Sequence, residues 1–198
     1  MRLNLLPDPR FAPLRNALDE RMRLSADAIH ADNFESLLDP LLRQTLGSGF
    51  QRAGAHEGTV WLVDASREHL VAACNTGPNA ARFVGEFNQP LGSGLISMVY
   101  ANEQPFSENA VYQNAMQDKR LDQRLGVLTC AMIAVPFYFA GSLRGVISCV
   151  QLKEAASTKP DPPGFAPESL RSVQFAATVA GKLIDLQLLS IAVGWGQL

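Results

Sequence analysis

The sequence predicts an α+β fold, an antiparallel sheet with helices on its faces. Three observations predict it. Apolar residues at both ends of the chain recur at helical spacing. Short β-branched and aromatic runs occupy the middle, separated by turn residues. Short, turn-rich connections join those runs into hairpins. The length of 198 residues suits one such domain with extra helices and is short for two.

The elements follow in order. Leu14, Leu18 and Met22 recur four apart and mark one face of a first helix. Asn33 is a capping residue for a second helix that carries Phe34, Leu37, Leu38, Leu41 and Leu42. Pro40 must kink or restart that helix, and Gly47, Ser48 and Gly49 close it. Residues 59–63 (Thr-Val-Trp-Leu-Val) read as a strand. After a turn at Asp64, Ala65 and Ser66, residues 69–74 form its partner. Residues 83–87 are a weaker strand. Gly92-Ser93-Gly94 opens a helix with Leu95, Ile96, Met98, Val99 and Tyr100. Pro105-Phe106 restarts an extended segment, and residues 111–126 form an irregular polar loop with a short helix. Two strong strands follow at 129–139 and 143–152, joined by a hairpin turn at Ala140-Gly141-Ser142. Pro136 removes a ladder donor, so a bulge or an unpaired site is expected there. Residues 153–164 hold three prolines and form a loop. A long helix then starts near Pro167 and runs to about Ile191.

Composition excludes several classes. A net charge of -2, from 17 basic and 19 acidic residues, leaves no basic footprint for nucleic acid or an anionic membrane. The apolar runs look too short to span a bilayer, which takes ~20 residues. The first residues lack the long apolar core of a secretory leader. Cys74, Cys130 and Cys149 are an odd number among apolar neighbours and read as reduced, buried, non-catalytic thiols in a cytoplasmic protein.

Several segments together resemble the GAF family of small-molecule sensors. Gly58-Thr59-Val60-Trp61-Leu62-Val63-Asp64 looks like its first strand and Asp turn. Gln89-Pro90-Leu91-Gly92-Ser93-Gly94-Leu95 resembles its turn into a helix. Glu103-Gln104-Pro105-Phe106, Glu108-Asn109-Ala110 and Asp118-Lys119-Arg120-Leu121 follow its middle pattern. Ala131-Met132-Ile133-Ala134-Val135-Pro136 and Leu143-Arg144-Gly145-Val146-Ile147 look like its last hairpin, and Phe165-Ala166-Pro167-Glu168-Ser169-Leu170 like the opening of its last helix. The resemblance covers about residues 33–190. It implies five or six antiparallel strands, with the N- and C-terminal helices on one face. The short helix and loops cover the other, where they enclose a ligand. It divides the chain into a helical extension at 1–32, the sensor domain at 33–192 and a tail at 193–198.

The resemblance also separates branches of the family. Members that reduce free methionine sulfoxide use cysteines in the pocket loops, and residues 92–97 hold none. Members that attach a bilin use a Cys beside a His before the last hairpin, and that loop has neither. Members that bind cyclic nucleotides carry an Asn-Lys…Phe signature. Here Asn114 and Lys119 are not adjacent, and Leu121 stands in the Phe position. No cofactor follows from the motifs.

The remaining chemistry is sparse. Gly92-Ser93-Gly94 presents backbone N–H groups, but no Lys or Arg follows as in a phosphate loop. His30, His56 and His69 are scattered and form no metal set. Asp118, Lys119, Arg120, Asp122 and Arg124 are either a solvated loop or a lid over a ligand.

These readings converge on a regulatory domain that binds an unidentified small molecule and signals to a separate output protein. Its pocket is expected between the sheet and residues 83–128. The walls are Phe83, Phe87, Ile96, Val99, Tyr100, Val111, Met132 and Ala134, with Ser97, Asn109 and Thr129 as polar contacts. The alternatives are an interaction module whose pocket is filled by Phe83, Phe87, Met98, Phe106, Met116 and Met132, and a methionine sulfoxide reductase. The last helix carries two apolar stripes. Leu170, Val173, Ala177, Ala180, Ile184, Leu188 and Ile191 form one, and Phe175, Val179, Leu183 and Leu186 the other. The second stripe predicts a homodimer through the terminal helices, with the N-terminal helices of the same chain as the alternative cover.

Overall fold

Six antiparallel strands form one sheet in the computed structural model, which describes residue 10 and residues 12–195. The elements are α1 (Ala12–Asp27), α2 (Pro40–Ala53), β1 (Glu57–Val63), β2 (His69–Asn75), β3 (Asn88–Pro90), α3 (Leu95–Asn102), β4 (Phe106–Glu108), α4 (Arg120–Leu125), β5 (Val127–Phe139), β6 (Ser142–Glu154) and α5 (Ser169–Ala192). The strand order is β3-β2-β1-β6-β5-β4. Residues 1–9 and the end of the 193–198 tail, including the reading on a leader, lie outside the described residues.

The two-residue period of a strand sorts the core into two layers. On β5, Ala131, Ile133, Val135, Phe137 and Phe139 face α2 and α5, joined by Val60, Leu62, Ile147 and Cys149 from β1 and β6. Met132 and Ala134 face the other way, with Trp61 and Val146, against Phe83, Phe87, Leu95, Val99 and Val111. The first layer is the structural core under the long helices. The second lies beneath α3, α4 and their loops.

Several expectations change. Asn33 caps no helix: its Oδ1 accepts from the His30 N–H at 2.8 Å, and its Nδ2 donates to the Ala28 carbonyl. Asp39 caps instead, accepting from the Leu42 N–H at 2.7 Å, which leaves Pro40 at the tolerated first position of α2. Gly47 to Gly49 do not end that helix, which runs on to Ala53 and closes at Gly54 with φ 79°. Gly49 marks a helix crossing: a Cβ there would stand 2.3 Å from the Ala176 Cβ. Residues 83–87 are turns rather than a strand, and β3 begins at Asn88. Pro136 is in register with Val146, and the ladder slips one residue later, between Phe137 and Tyr138. β4 begins at Phe106, opposite Ala134, so β5 has one neighbour at Pro136 and tolerates the proline.

The length test for membrane spans also changes. By length and composition α5 can cross a bilayer, with a mean hydropathy of 1.4 over its most apolar window. The fold uses it as a core helix, burying Val173, Ala177, Ala180, Ile184 and Leu188 against β5 and α2.

Candidate ligand-binding site

The second layer of the core is incomplete. Between the sheet and the 83–125 segments lies a cavity of about 70 Å³. Its floor alternates along β1 through Glu57, Thr59 and Trp61, continues on β6 through Ser148, Val150 and Leu152, and reaches β5 at Val127, Thr129 and Met132. Phe83, Phe87, Leu95 and Ile96 form one wall. Gln117, Asp118, Leu121, Asp122 and Leu125 roof it. Trp61 and Phe87 meet edge to face, with ring centroids 6.1 Å apart.

The roof is tied down by polar bonds. Asp122 accepts from the Thr129 N–H at 2.8 Å and hydroxyl at 2.7 Å, which pins α4 to β5. Gln117 Nε2 donates to the same carboxylate at 3.0 Å. Arg120 pairs with Asp118 at 2.6 Å and lays its guanidinium over the Phe87 ring, 5.4 Å from the centroid. That pairing holds the Asp118 carboxyl below its usual range, against a smaller opposing effect of burial. The mixed charge cluster of this loop is therefore largely the cavity's roof and rim.

The floor carries polar groups with capacity to spare. Trp61 Nε1 donates to the Ser148 hydroxyl at 2.9 Å. Asn75 Nδ2 donates to Thr59 Oγ1 at 2.9 Å and to Glu57 Oε1 at 3.2 Å. Burial raises the Glu57 carboxyl above its ordinary value of 4.5, with the Asn75 bond opposing. The Gln117 Oε1 is buried and has no hydrogen-bond partner among the described residues.

Of the residues expected to line a pocket, Phe83, Phe87, Ile96, Thr129 and Met132 do. The other six stand elsewhere. Val99, Val111 and Ala134 are packed inside the second core layer, and Tyr100 lies at its edge. The Ser97 hydroxyl donates to the Pro90 carbonyl at 2.7 Å and holds α3 to β3. Asn109 is a loop staple, accepting from the Phe165 N–H at 2.8 Å and donating to its carbonyl at 3.1 Å. Glu57, Trp61, Gln89, Gln117 and Ser148 were not expected there, whereas Asp118 and Asp122 belong to the segment weighed as a lid. The alternation of Glu57, Thr59 and Trp61 along β1 is the signal that places them on one face. Of the residues expected to fill the pocket, Met116 is exposed.

No protein-family model and no curated protein matches this sequence. Solved structures do. The domain from the phosphoenolpyruvate-protein phosphotransferase of Coxiella burnetii, a GAF domain, is similar with a TM-score of 0.57 at 20% identity, over 94% of this chain and 99% of that one. The GAF domain of the corresponding Acinetobacter protein gives 0.56 at 13% identity, over 91% and 97%. This is the GAF fold. The free methionine-R-sulfoxide reductase of Neisseria meningitidis, solved with its substrate, shares the fold with a TM-score of 0.50 at 17% identity, over 97% of each chain.

Within this GAF fold, no cysteine lines the cavity. Burial pushes the Cys149 thiol up to about 12 and that of Cys74 to about 11, and raises Cys130 as well. Each is a protonated thiol at neutral pH and a poor nucleophile.

Proposed function

We propose that the chain is a non-enzymatic, cytoplasmic regulatory domain that binds a small molecule in this cavity. The observation that carries the reading is the cavity itself. Its floor and roof hold buried polar groups with unused hydrogen-bonding capacity, set among aromatic walls, which is the make-up of a ligand site. The GAF domains among the solved neighbours support a regulatory role. The methionine sulfoxide reductase neighbour shares the fold, but the raised thiols here, none of which lines the cavity among the described residues, do not suit its chemistry. The test is native mass spectrometry of the purified protein, followed by melting scans with nucleotides, haem and small metabolites. A ligand at 100 times its Kd adds ~2.7 kcal/mol. Leu121→Trp, which fills the roof, should abolish the shift. Melting unchanged by every compound, with no co-purified molecule, overturns the sensor reading.

A second reading keeps its place because the cavity is small. At about 70 Å³ it holds a few waters, and Phe83, Phe87, Met132, Leu121 and Leu125 fill much of the space around it. An interaction module with a closed pocket would melt unchanged in the same scan.

We further propose that output runs through a homodimer of the terminal helices to a separate protein. The first stripe of α5 is spent on the core. Of the second, Phe175 is 68% exposed and Leu186 62% exposed. Leu41, Phe175 and Val179 line a groove between α2 and α5. Light scattering at micromolar concentration should give a dimer mass, and Phe175→Glu with Leu186→Glu should give a folded monomer. A monomeric native chain refutes the pairing. Leu183 packs on the core and Ile184 is fully buried, so charge at either would unfold the domain rather than report on a dimer.

A further inference from the structure

We infer that the cavity takes a compact cation that donates N–H groups, and not an anion. The inference rests on the sensor reading above and deepens it. One buried acceptor among the lining residues, Gln117 Oε1, has no partner among the described residues. Glu57, only 7% exposed, also lines the cavity; its Oε1 accepts from Asn75 and its Oε2 lies against Gly77. The amide orientation of Gln117 is fixed, because its Nε2 must face the Asp122 carboxylate.

The charge balance points the same way. Glu57, Asp118 and Asp122 line the cavity, and among the described residues no Lys, Arg or His does. Asp118 is neutralised by Arg120, but Asp122 is held by neutral donors alone. Among the described residues, two carboxylates thus line the cavity without a cationic partner. An anionic ligand would add like charge in a place poorly screened by water. A cation or an N–H donor would instead satisfy an acceptor already desolvated.

The glycine turn beneath α3 does not offset this. A Cβ on Gly94 would stand 2.7 Å from Gln89 Nε2 and 3.4 Å from the Asp118 Cβ, so the turn is packed against an acidic side chain. Gln89 also spends its Nε2 on the Ser93 carbonyl at 2.7 Å. The Trp61 and Phe87 rings suit the body of a cationic ligand, since aromatic faces attract cations.

The test uses two isosteric sets of small probes, formamidine, formamide and formate, and acetamidine, acetamide and acetate. Titration followed by backbone amide NMR locates and ranks each. The amidines should shift amides around Thr59, Gln117 and Ser148 and bind at least tenfold tighter than their carboxylates. Glu57→Gln and Gln117→Leu should each weaken the amidines at least tenfold while leaving the amide spectrum folded. A carboxylate that binds in the cavity as tightly as its amidine overturns the inference and leaves the sensor reading standing. Amidines that fail to bind, or that ignore both substitutions, also overturn it. The co-purified molecule then decides the sensor reading separately.

Discussion

Two glycines in α2, two residues apart, should respond to alanine in opposite ways. A Cβ on Gly47 meets nothing within 4 Å, whereas one on Gly49 would lie 2.3 Å from the Ala176 Cβ of α5. Gly47→Ala therefore gains helix propensity alone, ~1 kcal/mol. Gly49→Ala gains the same, but must open the crossing by roughly 1.5 Å to restore an ordinary carbon contact of ~3.8 Å. The obstacle is a Cβ fixed to the α5 backbone, and α5 is itself packed on β5, so neither helix retreats freely. Overpacking of this kind costs ~1–3 kcal/mol. Ala176→Gly should remove the clash, so the double variant should be more stable than the two single effects sum to, by ~1–3 kcal/mol. Urea unfolding measures the native chain, the three single variants and the double variant. For a chain this size, each kcal/mol moves Tm by about 2–4 °C. Additive single effects, within about 0.5 kcal/mol, would refute the close crossing.

Other outcomes follow from the titrating groups. Burial raises Glu57, so the folded state prefers it protonated and loses stability as pH rises from 4.5 through the raised value. Glu57→Gln should therefore melt higher than the native chain at pH 7, with the gain gone below pH 4.5; equal melting at pH 7 would count against the burial. Burial pushes Asp64 up, but bonds from Ser66, the backbone of His69 and Glu68, and the His69 ring bring it down to about 2. Its contribution is complete above the ordinary 3.8 and lost as pH falls toward 2, so Asp64→Ala should cost ~1–2 kcal/mol at pH 7 and much less near pH 2, read by denaturant unfolding. Cys130 and Cys149 are buried and Cys74 half-buried, and all three thiols are raised; all three should resist a disulfide reagent at pH 7 until denaturant is added, and fast labelling of any one in the folded protein would contradict this.

The sequence made β5 and β6 legible because both are long, apolar and joined by a Gly turn, a pattern that few other structures satisfy. It was a poor guide where one residue type serves two purposes. The glycines of α2 look like a helix end, yet Gly49 is there for the approach of α5, which no local pattern encodes. Phe83 and Phe87 look like strand residues, but their spacing of four puts both into one core layer from successive turns. The cavity was half legible for a similar reason. Its aromatic and apolar walls stand out, while Glu57 reads as a polar strand end, and Asp118 and Asp122 read as solvated charges. Only the folding of α4 against Thr129 turns those acids inward.

The place of α5 in the core also bears on how the protein is made. The larger layer of the core is closed by this last described helix, and β5 and β6 precede it in synthesis. While the ribosome is still adding residues 169–192, Ile133, Val135, Phe137 and Ile147 lack the cover that α5 supplies beside α2. Chains at that stage expose an apolar sheet face and are open to capture by chaperones or by each other. Folding to completion thus waits for the end of α5 to leave the exit tunnel. A variant slowed in translating that helix should yield more aggregate at unchanged final stability.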